Sequence, residues 1–181
     1  MSIAIVIGYF AGGRLSGLAR LDLRWPALAL VGVALQFAPW SGMPGFIALI
    51  LSFAGLIAFA LANAKQAGFI LIVVGLAMNL TVIAVNSGMP VTRASLVSSG
   101  QADTLTSLVD DGGNKHHLAG PTDALVVLGD WIPLGPPVRQ SISVGDIFVH
   151  AGLAWFIIVA MRRGRSGVPA SDPDPATEGA S

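Results

Sequence analysis

The feature that most constrains this chain is a set of long apolar runs joined by short links. Three runs, at residues 25–40, 45–62 and 67–85, contain no charged residue, and a further run covers 144–161. A chain of 181 residues has too little interior to hide all of them from water in a soluble globule. Each run approaches the roughly 20 residues that cross a bilayer as a helix. The sequence therefore predicts an integral membrane protein.

Composition excludes several classes of function. Hydrophobic residues make up 54% of the chain and charged residues 11%, whereas soluble domains carry about 25% charged residues. The net charge is +0, so the chain lacks the overall positive charge that attracts nucleic acid. The absence of cysteine excludes disulfides, thiolate nucleophiles and thiolate metal sites. Any chemistry must use carboxylates, histidines or hydroxyls, and we expect no cofactor.

We predict an all-α transmembrane bundle over residues 1–161, followed by a disordered tail at 162–181. About five spans are expected, at 2–12, 25–40, 45–62, 67–85 and 144–161. The first run has 11 residues and covers only about half of a 30 Å hydrocarbon core, so the sequence leaves open whether it spans. The tail is rich in proline and acidic residues and has few apolar side chains with which to pack.

Residues 86–143 differ from the rest of the chain. Glycine and proline interrupt a mostly polar stretch, which predicts one large loop. Within the loop, apolar residues recur at helical spacing, at Ala102, Leu105, Leu108 and Val109. This spacing predicts a short amphipathic helix lying on the membrane surface.

Basic residues predict the topology. Seven fall on one side of the predicted spans, namely Arg14, Arg20, Arg24, Lys65, Arg162, Arg163 and Arg165. Three fall in the large loop, namely Arg93, Lys115 and Arg139. Because cytoplasmic segments carry an excess of lysine and arginine, we expect a plasma-membrane protein with its carboxyl terminus in the cytoplasm and its loop outside.

The start of the last span carries the sharpest polar cluster. Ser143 precedes Asp146 by three residues, an arrangement typical of a helix capping box. His150 follows one turn later on the same face, within reach of Asp146. One interpretation is purely structural, a capped helix with a satisfied pair. The other is functional, because ionisable residues inside spans often serve proton or ligand chemistry, with Asp146 setting the charge of His150.

Two adjacent histidines in the loop form a candidate metal site. His116 and His117 could bind a metal together with Asp123 or Asp130. Adjacent side chains point in different directions on most backbones. The pattern therefore favours solvated loop histidines, and we predict no metal.

The predicted fourth span contains two asparagines on one helical face. Asn79 and Asn86 are seven residues apart, and Thr81 is offset from them. Amides inside a span commonly form hydrogen bonds between helices. A polar ligand pocket is the alternative interpretation.

Several motifs together resemble a known family. They are Gly12–Ser16 (GGRLS), Arg24–Pro26 (RWP), Asn79–Val91 (NLTVIAVNSGMPV), Lys115-His116, Leu128–Leu134 (LGDWIPL) and Ser143–Asp146 (SVGD). Over about residues 5–160 the chain resembles a bacterial membrane-protein family known only as domain of unknown function fifty-three seventeen (DUF5317). The resemblance implies a multi-helix membrane protein whose polar motifs lie on the outer side, and it implies no activity. Members often have a longer first helix, so the short start at 2–12 departs from the pattern.

A more local likeness covers residues 126–153. Val126–Ile132 (VVLGDWI) and Ser143–Ile147 (SVGDI) are similar to the end of lipoprotein signal peptidase. That resemblance implies a catalytic dyad of Asp130 and Asp146, with one carboxyl protonated and the other activating water. Ser143 and Gly145 replace that family's asparagine and alanine. Its glycine-asparagine-x-x-aspartate-arginine block has no counterpart in this chain.

Three functional hypotheses follow. The first is a non-enzymatic protein that binds membrane lipids or a protein partner through its outer loop, with Trp131 among the candidate binding residues. The second is an intramembrane aspartyl hydrolase that uses Asp130 and Asp146. The third is a small transporter or ion-binding protein that uses Asn79, Asn86, Asp146 and His150.

Overall fold

A computed structural model describes residues 22–37, 39–40, 42–105, 108 and 115–163. The chain divides into two compact units, one comprising Asp22–Phe156 and the other the segments 2–21 and 157–181, of which only 157–163 are described. The helices are α1 (Pro26–Gln36), α2 (Gly42–Ala62), α3 (Phe69–Asn86), α4 (Arg93–Ser98) and α5 (Val144–Arg163).

Among the described residues, three helices are long and apolar enough to cross a membrane, namely α2, α3 and α5. They confirm three predicted apolar helices with small shifts at their ends. The run predicted at 25–40 forms only the 11-residue α1, which at 1.5 Å per residue is about 17 Å long and too short to cross. The predicted span at 25–40 is therefore not confirmed, and the predicted span at 2–12 lies outside the described residues, so three of the five predicted spans are confirmed as apolar helices long enough to cross a membrane.

Helices α3 and α5 meet through glycines spaced seven residues apart on each. A Cβ atom at Gly75 would lie 2.8 Å from the backbone nitrogen of Val149, and one at Gly145 would lie 2.7 Å from the carbonyl oxygen of Gly75. Gly152 approaches Gly68, the residue just before α3, in the same way. A Cβ atom added at Gly152 would lie 2.5 Å from the carbonyl oxygen of Gly68. The backbones approach so closely because these positions lack side chains, as in other small-residue contacts between membrane helices.

The large loop contains strands as well as helices, so the prediction of an all-α fold is wrong in this region. Strand β1 (Met89–Val91) pairs in parallel with β2 (His116–Leu118), and β3 (Ile132–Leu134) pairs antiparallel with β4 (Gln140–Ile142). Each strand has three residues. A buried loop must satisfy its backbone groups, and short extended segments between glycines and prolines do so by pairing.

The amphipathic helix predicted at residues 102–109 is not confirmed. The described part contains a three-residue 3-10 helix, Ala102–Thr104. Residues 106–107 and 109–114 lie outside the described residues. A second 3-10 helix, Val126–Leu128, precedes Asp130. At the other end of the chain, α5 ends at Arg163, and the rest of the predicted disordered tail lies outside the described part.

Candidate functional site: a cavity between the helices and the loop

A cavity of about 550 Å³ lies where the loop packs on the helices. Its apolar lining comes from the end of α1, from α2 and α3 and from the loop, namely Phe37, Leu49, Phe53, Ile83, Met89, Val91, Leu96, Leu108 and Ile142. Its polar lining comes from α1, α3, the loop and α5, namely Gln36, Asn79, Gln101, Thr104, Lys115, His116, Asp130, Gln140, Ser141, Asp146 and His150. The volume is typical of small-molecule sites, which commonly combine an apolar wall with a few polar groups.

The predicted capping box is present at the start of α5. The backbone nitrogen of Asp146 donates to Ser143 Oγ at 3.0 Å, and the backbone nitrogen of Ser143 donates to Asp146 Oδ2 at 2.9 Å. These bonds satisfy amides that the first helical turn leaves free. Asp146 therefore has a structural role at the edge of the cavity.

Asn79 connects α3 to this cap, as the prediction of hydrogen bonds between helices expected. Its Nδ2 donates to Asp146 Oδ1 at 2.8 Å, and its Oδ1 accepts from Ser143 Oγ at 2.9 Å. The side chain is buried, with 4% of the residue exposed. Both oxygens of the Asp146 carboxylate thus accept hydrogen bonds, which holds the negative charge in one orientation facing the cavity.

Asp130 is positioned by its backbone. Its nitrogen donates to Pro90 O at 2.9 Å and its oxygen accepts from the nitrogen of Thr92 at 3.1 Å, so it extends the edge of β1. The residue is only 6% exposed. Its Oδ2 lies 3.5 Å from His116 Nε2, and its Oδ1 has no hydrogen-bond partner in the described part of the chain. A buried carboxyl oxygen is thus left available in the cavity wall.

The surroundings of Asp130 and His116 favour the neutral form of both. Burial, and next the negative charge of Asp146, raise the pKa of Asp130 to about 7. The His116 side chain is 51% exposed and lines the cavity, but the protein around it replaces part of its hydration shell. This desolvation lowers the pKa of His116 and is only partly opposed by the charge of Asp146. Near neutral pH the pair presents an uncharged imidazole beside a carboxyl that can gain or lose a proton.

The pH dependence of the unfolding free energy should reveal the protonation of Asp130. The pKa of this carboxyl is about 7 in the folded protein, against an ordinary value of 3.8. Between about pH 4 and 7 the folded state therefore binds more protons than the unfolded state. The contribution of this group to the free energy of unfolding falls as pH rises through that window and is constant above it. We expect the difference in unfolding free energy between wild type and Asp130→Asn, measured in detergent, to decline over the same window. A difference that is constant with pH would contradict the raised pKa.

The structure brings four of the six predicted site residues to the cavity: Asp130, Asp146, Asn79 and His150. The expected hydrogen bond between His150 and Asp146 is present, but it joins His150 Nδ1 to the backbone oxygen of Asp146, at 2.7 Å. The two residues are one helical turn apart in α5. The Asp146 carboxylate is hydrogen-bonded by Asn79 and by the backbone nitrogen of Ser143 instead.

The other two predicted residues hold the loop instead of lining the cavity. Asn86 Oδ1 accepts from the nitrogen of Ala124 at 2.8 Å, and its Nδ2 donates to the oxygen of Ala124, also at 2.8 Å. Trp131 Nε1 donates to the oxygen of Val127 at 2.7 Å. The four residues predicted for a transporter therefore do not all line the cavity, because Asn86 binds the loop backbone instead.

The two adjacent histidines pair with different carboxylates. His117 Nε2 lies 3.0 Å from Asp123 Oδ1, whereas His116 faces Asp130. Burial raises the pKa of Asp123, but the hydrogen bonds from Gly120 and His117 outweigh it and lower the pKa below its ordinary value. Within the described ranges, no group of three or more histidine and acidic side chains is placed to hold a metal ion.

Sequence reasoning missed two features of this site. Lys115 lines the cavity beside His116. The sequence feature that could have indicated it is that no other lysine occurs between residues 86 and 143. The glycines that bring α3 against α5 were also missed. Their signal was the equal seven-residue spacing of Gly68 and Gly75 in one span and of Gly145 and Gly152 in another.

Comparison with known proteins supports the wider of the two resemblances. An uncharacterised protein of Thermotoga maritima is 29% identical over 163 residues, which is 88% of this chain and 89% of that protein. No solved structure matches the chain. Neither the relative nor the matching family is described as a lipoprotein signal peptidase. Residues 20–158 match the family of unknown function DUF5317, and the chain therefore belongs to that family.

Proposed function

We propose that this chain is a multi-pass protein of the plasma membrane that binds a lipid-like amphiphile in the cavity beneath its outer loop. The observation that carries the proposal is the mixed lining of the cavity, which combines large apolar side chains with charged and polar ones. An amphiphile can place its chain against the apolar side chains and its head group against the polar ones. The excess of basic residues on the opposite side of the spans supports an outer location for the loop.

The charged side chains of the lining indicate the class of head group. Lys115 supplies a positive charge and Asp146 a negative one, both at the cavity. Asp130 supplies a buried carboxyl with one unpartnered oxygen. A zwitterionic head group with a phosphate and an ammonium matches these charges, because each ionic end finds an opposite charge. Phosphatidylethanolamine has this chemistry and is the probe that we select.

Binding can be tested by native mass spectrometry of the full-length protein titrated with phosphatidylethanolamine in detergent. Lys115→Gln keeps a side chain of similar length but removes the cation. A lost charge-assisted hydrogen bond costs about 1.5–3 kcal/mol, so the affinity should fall by about tenfold or more.

The matched control is Lys65→Gln, in the exposed turn between α2 and α3, away from the cavity. It should bind the lipid like the wild type. Equal binding by all three proteins would show that the lipid occupies only the outer surface of the helices, and the proposal would fail.

A second function, hydrolysis by an aspartyl dyad, is favoured by one observation. Asp130 and Asp146 line the same cavity, and the charge of Asp146 helps to raise the pKa of Asp130, as expected when one carboxyl stays protonated beside an ionised one. Against it, both oxygens of Asp146 already accept hydrogen bonds from Asn79 and Ser143. The mass spectra distinguish the two functions, because a hydrolase would release cleavage products and a binding protein would retain the intact lipid.

A further inference from the structure

One loop segment has almost no polar surface. Residues 124–138, here called the apolar segment, have the sequence ALVVLGDWIPLGPPV. Asp130 is the only charged residue among them, and it is buried beside His116. A segment of this length exposed to water would normally carry several charged or hydroxyl side chains.

The apolar side chains of this segment point outward. Val127 is 64% exposed and Trp131 is 44% exposed, and Leu125 and Val138 are also exposed. Leu125 adopts a left-handed backbone conformation with φ of 55°, which is uncommon for a residue other than glycine. The fold therefore presents large apolar groups on a surface that packs against nothing else in the described part of the chain.

Several polar groups that could oppose burial in lipid have internal partners. The Trp131 indole donates to the oxygen of Val127, the Ala124 backbone is paired with the Asn86 side chain, and β3 is paired with β4. In a membrane, groups without such partners would cost several kcal/mol each. These groups can enter an apolar medium without that penalty.

The segment continues the outer face of a membrane-spanning helix. Residues Ile70, Val74, Ala77, Thr81 and Val85 form an exposed stripe along α3. The stripe ends one residue before Asn86, whose amide binds Ala124 at the start of the apolar segment. At the far end of the segment, Arg139 directs its guanidinium to the oxygen of Gly100. The apolar surface thus begins where the span ends and stops at a charged residue.

We propose that the apolar segment is a membrane anchor that inserts into the head-group region of the outer leaflet, with Trp131, Val127 and Leu125 toward the acyl chains. Tryptophan prefers this depth, and apolar side chains on short interfacial elements bind there. The anchor holds the loop down over the bilayer next to α3. It requires only that α3 crosses the membrane and is independent of any ligand in the cavity.

The absence of cysteine allows a direct test with the full-length protein in phosphatidylcholine and phosphatidylglycerol vesicles. A nitroxide spin label is attached at Val127→Cys and, as a second reporter, at Val138→Cys. The control is Thr122→Cys, an exposed polar site just before the segment. Collision rates are measured with oxygen, which concentrates in the bilayer, and with a nickel chelate, which stays in water.

We expect the oxygen-to-nickel collision ratio at residues 127 and 138 to exceed that at residue 122 several-fold. Equal ratios at all three sites, with free access of nickel, would place the segment in water and overturn the proposal. Protection from both reagents that disappears when the protein is diluted in lipid would also overturn it, because a second copy would then be the partner.

Discussion

Replacing Gly75 by alanine should lower the midpoint of thermal unfolding in detergent by roughly 10 °C, corresponding to a loss of about 3 kcal/mol. The added Cβ would lie 2.8 Å from the backbone nitrogen of Val149 and equally close to its Cγ2, and it would overlap the carbonyl oxygen of Gly145. Backbone atoms of a helix cannot move aside as a flexible side chain can. Helices α3 and α5 would have to separate, which would also pull Asn79 away from the cap of α5.

Gly55→Ala is the matched control for this substitution. Gly55 is also inside a helix long and apolar enough to cross a membrane, but the nearest atom to a Cβ there is the oxygen of Leu28, at an ordinary 3.9 Å. Alanine at this position should leave the midpoint unchanged or raise it slightly, because it restricts the unfolded chain. If both substitutions had the same effect, close packing of α3 on α5 would not be the cause.

Replacing Asn79 by leucine should destabilise the protein by about 3 kcal/mol, because it leaves buried polar groups without partners. The side chain is of similar size, so packing changes little. The Asp146 carboxylate loses the donor at Oδ1, and the Ser143 hydroxyl loses its acceptor. The loss of a partner for an ionised group is the more costly of the two. Unfolding midpoints in detergent would measure the effect.

Thr81→Leu provides the comparison on the same helix. Thr81 lies on the exposed stripe, and its hydroxyl bonds only to the oxygen of Ala77 one turn earlier. Leucine there should be nearly neutral. A wild-type midpoint for Asn79→Leu would mean that the bond to Asp146 contributes little, and Asp146 would then be free to serve the ligand or a reaction.

These two predictions test one structural relationship. The glycines let α3 and α5 approach, and the approach lets Asn79 reach Asp146 and Ser143. The Asp146 charge, fixed in this way, then helps to raise the pKa of Asp130 to about 7. Packing between α3 and α5 thus adds, after burial, to the raised pKa of a carboxyl in the loop.

The sequence by itself determined three apolar helices long enough to cross a membrane and the cap at the start of α5. These features depend on local patterns, since a long apolar run needs lipid around it and a serine three residues before an aspartate caps whatever helix follows. The family was also recognisable from short motifs, as the match over residues 20–158 confirms.

Only the tertiary structure decided which polar residues share the cavity. Asn79 and Asn86 lie on the same face of α3, yet one reaches Asp146 and the other binds Ala124. His116 and His117 are neighbours in the chain, yet they face different carboxylates. The partner of Asn79 lies 67 residues further along the chain and that of Asn86 lies 38 residues further, and local spacing carries no information about such long-range contacts. Strand β1 escaped prediction for the same reason, because it forms only where the distant β2 supplies its hydrogen-bond partners.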